Sequence, residues 1–238
     1  MLSSELNVIP RIIHQIWFGG DVPEYLTRLM QTWRELHPDW KYMLWTESNI
    51  PRLANQTQFD HARLFAVKAD IARVEILREF GGVYVDADYE CHRPIDPLVG
   101  GASMMVLSEG DGSITNSIIG SIPGHGLLED LIGEMGQIEL SAISSPDFDP
   151  LSWTGPKLWT RVISRQGLVF SKGFRLLPPD FFVLPKTRVL ELRELSGLRR
   201  YGTHHALATW RNERRIISLV RRSRLRTRLR RFFDLSAS

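Results

Sequence analysis

Residues 60 to 90 place a long helical pattern, a glycine pair, a short apolar strand and two aspartates in immediate succession, and that order constrains the fold more than any other stretch. Leu64, Val67, Ile71, Val74, Leu77 and Phe80 recur at helical spacing and predict one helix over 60 to 80, stopped at Gly81-Gly82 by a glycine cap. Val83-Tyr84-Val85 then restarts as a strand, and Asp86 and Asp88 close it. Burying a carboxylate costs several kcal/mol unless it is paired, hydrogen-bonded or bound to a metal, and two neighbours also repel one another. A positive partner is therefore expected at the end of this strand.

The rest of the chain supplies the elements around it. RIIHQIWF (11 to 18) is apolar and β-branched before Gly19-Gly20 and predicts a buried strand. Pro23 stands at a helix start, YLTRLMQTWREL follows with helical spacing, and WKYMLWT (40 to 46) predicts a second strand. Later, 103 to 109 reads as a strand, 126 to 135 as a helix, 145 to 150 as a loop, Pro156 as a helix start and 174 to 184 as strand-like. Strands alternating with helices predict an α/β fold with a mixed, mostly parallel sheet covered by helices. At 238 residues and 43% hydrophobic content, one large domain with a substantial core is expected.

Charge is unevenly placed. Residues 211 to 238 hold ten arginines against Glu213 and Asp234, which leaves the first 210 residues at −5 within a chain of net +3. We read 1–210 as the folded domain and 211–238 as a basic amphipathic helical tail, with 211–233 suited to an anionic membrane surface; a solvated tail or a helix on an acidic patch are the alternatives. No base-reading module accompanies the arginines, so no nucleic acid partner is expected. The single Cys91 excludes an internal disulfide framework, and neither a leader nor a spanning helix is predicted, so a cytoplasmic location, peripheral on the membrane face, is expected.

Side chains two apart on an extended segment point the same way, so Asp86 and Asp88 can converge on one cation. Hard oxygen ligands suit Mn²⁺ or Mg²⁺, particularly an ion already carrying phosphate oxygens. The alternative is a pair of solvated turn residues. Two chemistries use such a pair after a strand: phosphoryl transfer through an aspartyl phosphate, and glycosyl transfer from a nucleotide sugar. Against a Mg²⁺-dependent phosphohydrolase, Glu90 stands where that class has Thr or Val, and no later acidic pair follows a strand.

Five ordered blocks carry a more specific signal: IPRIIHQIWFGG from residue 9, KADIARVEILREFGGVYVDADYE, NSIIGSIPGHGLLEDLI, TGP at 154 to 156 and HHALATW at 204 to 210. Together they resemble glycosyltransferase family 32 and, more distantly, the glucosyltransferase domain of the large clostridial toxins. The resemblance implies a single GT-A (Rossmann-like) nucleotide-sugar-binding domain. It also implies retaining, metal-dependent transfer of a hexose from a UDP- or GDP-sugar, UDP favoured, to a glycan or lipid-linked acceptor.

By the same resemblance Asp86 and Asp88 are the metal and diphosphate motif. Asp70 and Arg73 contact the donor sugar and phosphate, with a surface ion pair as the alternative. Trp17 stacks on the nucleobase, or else closes the core; Tyr84 lines the donor site, or else packs in the core. Asn116 faces the sugar, or else caps a helix. His204 lies near the metal, with His205 not distinguished from it, and Trp210 lies against the diphosphate or sugar. Thr209 stands where serine is usual in that last block. A non-catalytic binding protein that uses the basic tail remains the alternative from a different class.

Overall fold

The computed structural model describes residues 8–182 and 200–206. The expected domain boundary after residue 210, Trp210 itself and the arginine tail lie outside the described residues.

Strand β1 (Ile12–Ile16) leads through the Gly19-Gly20 turn into helix α1 (Glu24–Leu36), and β2 (Lys41–Trp45) follows. Helix α1 starts after Pro23, carries Glu24 in its first turn and Arg34 in its last, and buries Leu26, Met30 and Trp33 at the spacing of one face. The helix expected over 60 to 80 is in fact two, α2 (Gln56–His61) and α3 (Phe65–Phe80). Ala62 and Leu64 both adopt extended backbone between them. The loop before α2 is tied to α3 by the Glu75 carboxylate, which accepts the amides of Ala54 and Asn55. That contact, between positions 20 and 21 apart, leaves no mark in the local sequence.

Helix α3 ends as expected: Gly81 lies at φ +61° and its amide returns to the Leu77 carbonyl. Then come β3 (Gly82–Val85), β4 (Tyr89–Cys91), α4 (Asp96–Val99), β5 (Met104–Ser108) and β6 (Ile114–Ser121). Helices α5 (Gly126–Gly136), α6 (Leu140–Ile143), α7 (Pro150–Trp153) and α8 (Pro156–Gln166) follow, with β7 (Phe174–Leu177) and β8 (Gly202–His204) last. Of the strand-like stretch from 174 to 184, the described part, up to residue 182, holds one strand, Phe174–Leu177, and a 3₁₀ turn at Pro179–Phe181.

Six strands make one sheet in the order β2-β1-β3-β6-β5-β7. Pairs β1–β2, β1–β3 and β5–β7 are parallel, while β6 runs antiparallel to both of its neighbours, so the sheet is mixed and mostly parallel as expected. Strands β4 and β8 form a separate antiparallel pair.

Alternation sorts the strand residues onto two cores. Tyr84, Met104, Val106 and Ile119 face one, with α3, α5 and α8; Val83, Val85, Met105, Leu107 and Ile118 face the other, with Trp33, Tyr89 and Phe182. Both faces of the sheet are covered, which leaves the carboxyl ends of β1 and β3 as the place where polar groups gather.

Candidate active site

Strand β3 runs beside β1 in parallel, with His14 paired to Tyr84, so the chain beyond Val85 emerges next to Gln15, Ile16 and Trp17. There Asp86 starts a turn: its amide bonds the Ser117 carbonyl at 2.8 Å, and its carbonyl accepts the Tyr89 amide at 3.2 Å. The turn aims Asp86 and Asp88 to one side and sends Tyr89 back into the core. Antiparallel pairing of Tyr89 with His204 brings β8 alongside, and the two rings stack with centroids 4.3 Å apart.

The result is a cluster of ligand atoms. One atom each from Asp86, Asp88 and His204 lie within 4.8 Å of one another. His204 Nε2 sits 3.4 Å from Asp88 Oδ1, with the two side chains 25% and 15% exposed. They are neither fully solvated turn residues nor sealed in the core, so a soluble ligand can reach them. His205, the neighbour that the sequence left undistinguished, points elsewhere: its Nε2 meets Glu90 Oε2 at 3.0 Å and its amide bonds the Asp88 carbonyl.

Two carboxylates and one imidazole at this spacing fit a hard or borderline divalent cation with open positions for phosphate oxygens. Electrostatics agree. Burial pushes the Asp86 carboxyl above its usual range although Arg73 opposes the shift. Burial also works against the His204 imidazolium, yet its hydrogen bond to Asp88 and the charges of Asp88 and Asp86 outweigh burial and raise it. The negative charge of Asp88 contributes to both shifts.

Behind the cluster lies a buried network on α3. Asp70 and Arg73, three apart, form an ion pair at 3.1 Å with only 9% and 6% of their side chains exposed, so the surface-pair alternative is overturned. Arg73 also reaches Asp86 Oδ1 at 3.2 Å, donates to the Asn116 carbonyl at 2.6 Å and the Ala69 carbonyl at 3.2 Å, and lies 4.4 Å above the Tyr84 ring. These contacts use Nε and both Nη atoms, so Arg73 first fixes Asp70 and Asp86 relative to each other. Tyr84 packs its ring in the core, as one of its two readings has it, and its hydroxyl donates to Asp86 Oδ1 at 2.6 Å.

Asp70 is held on three sides. Asn116 Nδ2 donates to its Oδ1 at 2.8 Å and the Thr154 hydroxyl to its Oδ2 at 2.8 Å, beside Arg73. Burial raises its carboxyl all the same, with Arg73, Thr154 and Asn116 pulling the other way. Asn116 sits within β6, which overturns its reading as a helix cap. Trp17 stands half-buried just past β1, its amide on the Trp45 carbonyl and its indole N–H buried without a hydrogen-bond partner among the described residues. It is therefore at the same end of the sheet as the cluster.

Three participants were not assigned a role from sequence. Thr154 lies in the TGP block, but a threonine just before a proline-started helix ordinarily caps that helix. Tyr25 on α1 has its phenol raised by burial and by the charge of Asp88, and nothing in the α1 pattern marks it. Gln15 did leave a signal: an amide beside His14 in a strand whose other residues are isoleucines must find partners.

Comparison with known proteins follows the same lines. Residues 23–105 match a family model described as "Glycosyltransferase sugar-binding region containing DXD motif". Inositol phosphoceramide mannosyltransferase 3 of Schizosaccharomyces pombe is 32% identical over 136 residues, 55% of this chain and 38% of that protein. Mannosyl phosphorylinositol ceramide synthase SUR1 of Saccharomyces cerevisiae is 28% identical over 191 residues, 74% of this chain and 48% of that protein. The chain thus spans less than half the length of either relative.

Among solved structures, the ligand-free glycosyltransferase domain from the YGT toxin superposes with a TM-score of 0.56 at 11% identity, over 71% of this chain and 80% of that one. The PaToxG glycosyltransferase gives 0.54 at 18% identity, over 67% and 70%. At these identities the likeness concerns the fold alone. The resemblance to glycosyltransferase family 32 is borne out, and so is the single α/β domain of GT-A type.

Proposed function

We propose that the chain is a metal-dependent, retaining glycosyltransferase that moves a hexose from a nucleotide-diphosphate sugar to a glycan or lipid-linked acceptor. The observation that carries the reading is the placement of Asp86, Asp88 and His204 around one point at the carboxyl end of β3, backed by the buried Asp70–Arg73 pair. In open α/β sheets ligands bind beyond the carboxyl ends of strands, and a cation at that point would neutralise charge developing on a diphosphate leaving group.

Each residue then has a task. Asp86, Asp88 and His204 hold Mn²⁺ or Mg²⁺. Asp70, fixed by Asn116, Thr154 and Arg73, accepts a hydroxyl of the donor sugar, and Asn116 and Tyr84 shape the wall beside it. Arg73 keeps its charge next to the breaking bond, with an Nη2 hydrogen that its contacts among the described residues do not use. Trp17 presents an aromatic face to the nucleobase at the mouth of β1, and Trp210 is assigned to the diphosphate or sugar by resemblance. On the retained face the anomeric bond to the diphosphate breaks, the acceptor oxygen bonds to the anomeric carbon, and the departing phosphate takes the acceptor hydroxyl's proton.

The mannosyl wording in the names of the curated relatives makes a mannosyl donor and an inositol-phosphoceramide-like acceptor the first pair to try, with UDP- and GDP-sugars both in the screen. No helix among the described residues is long and apolar enough to cross a membrane. The basic segment 211–233 is our candidate for reaching a lipid-linked acceptor, on the cytoplasmic face.

The test combines thermal shift and donor hydrolysis, with Mn²⁺ titrated against a panel of nucleotide sugars. Metal-dependent stabilisation by one donor, abolished in Asp88→Ala, supports the reading. A protein indifferent to every metal and nucleotide combination overturns it.

A further inference from the structure

Gln15 is completely buried in β1, next to the strand that delivers the aspartates. An amide costs free energy there unless both of its ends are satisfied. Its Nε2 donates to the Asp86 carbonyl at 3.2 Å, and its Oε1 accepts the Tyr42 hydroxyl at 2.5 Å. The orientation of the amide is fixed by chemistry: a carbonyl only accepts, so nitrogen must face Asp86 and oxygen must face Tyr42. Tyr42 is in turn held from the other side, with the Arg34 guanidinium 4.1 Å above its ring.

Resting on the functional reading above, we propose that Gln15 is a positioning residue for the metal cluster. The chain Arg34–Tyr42–Gln15 clamps the backbone carbonyl at the pivot of the Asp86–Asp88 turn and thereby sets where both carboxylates point. Among the described residues that carbonyl otherwise takes only the 3.2 Å bond from the Tyr89 amide within the turn itself. The Asp86 amide is anchored to β6 through Ser117, so Gln15 supplies the second fixed point, on the β1 side. Arg73 and Tyr84 hold the Asp86 carboxylate itself, whereas Ser117 and Gln15 hold the Asp86 backbone from the two flanking strands.

The test uses the full chain and Mn²⁺ alone, with free Mn²⁺ counted by electron paramagnetic resonance well below the melting temperature. Gln15→Met, of similar volume, removes the clamp; Tyr42→Phe keeps Gln15 but frees its amide to rotate. Loss of one net hydrogen bond in the alignment of the ligands corresponds to about a tenfold weaker Mn²⁺ affinity in Gln15→Met, and a smaller loss, about threefold, is expected in Tyr42→Phe. A merely structural role predicts lower melting temperatures with an unchanged Mn²⁺ affinity of the folded protein. That result, in both variants or in Tyr42→Phe alone should Gln15→Met not fold, overturns the proposal while leaving the functional reading intact. Wild-type protein that binds no Mn²⁺ overturns both.

Discussion

Acidification should expose a histidine that this fold cannot afford to charge. His14 is completely buried in β1, where its Nδ1 accepts the Trp45 indole N–H at 3.0 Å and its Nε2 donates to the Gly81 carbonyl at 2.9 Å. Both ring nitrogens are used in the neutral tautomer, so a second proton would face an indole donor. Burial, the largest cause, lowers its pKa from 6.5 to about 4, with the Gly81 bond opposing and Lys41 adding a little.

The sign follows from linkage. The unfolded chain takes up the proton near 6.5 and the native chain only near 4, so stability is full above 6.5 and falls as pH drops through that window. The loss from this group is about 2 kcal/mol at pH 5 and about 3 kcal/mol at pH 4. The assay is urea unfolding of wild type and His14→Gln from pH 7.5 to 4; subtraction cancels every other titrating group. The wild-type advantage should shrink by about 3 kcal/mol across the series. A constant gap would refute the reasoning.

Other outcomes are expected from the site and its frame. Arg73→Lys keeps the charge but not the fork that spans Asp70, Asp86 and the Asn116 carbonyl, so kcat/KM for the donor found in the screen should fall about 10²- to 10³-fold. Thr154→Val removes one of the hydroxyl and amide donors that hold Asp70, and should cost about 1–2 kcal/mol in urea unfolding, with a larger fractional loss of donor turnover than of Mn²⁺ binding. Gly82→Ala should cost more than about 2 kcal/mol, or prevent folding, because at φ +95° its Cβ would lie 2.7 Å from the Ile12 carbonyl oxygen; unchanged unfolding would contradict the observed closeness of β1 and β3. Truncation after Trp210 should abolish salt-sensitive binding to anionic liposomes, and binding that survives truncation would remove the tail from the acceptor hypothesis.

How far the sequence reached depended on whether an element's reasons were local. Strand β3, the glycine stop before it and the aspartates after it were legible because period, cap and charge all sit within ten residues. The Asp70–Arg73 pairing followed from helical spacing, but its burial did not, since Asn116 and Thr154 lie 46 and 84 positions from Asp70. Strand β6 escaped for the same reason. Its run ITNSIIGS is polar for half its length, yet every residue is buried, because Thr115 and Ser117 share a hydrogen bond, Ser117 meets the Tyr89 hydroxyl, and Asn116 meets Asp70. The break between α2 and α3 falls on Ala62-Arg63-Leu64, where no glycine or proline announces it.

The small β4–β8 pair has a consequence for how the molecule is made. Glu90 and His205, joined side chain to side chain, stand 115 positions apart. Nearly the whole domain must be synthesised before β8 can dock and His204 can meet the two aspartates. Closing so long a loop is entropically costly, and contacts of this range form late. A cation bridging the two ends would act as a clasp on that last step, favouring the docked strand by mass action in proportion to its concentration over its dissociation constant. Chains shortened at the C-terminal side of β4 would keep both aspartates and still lack the third corner of the site.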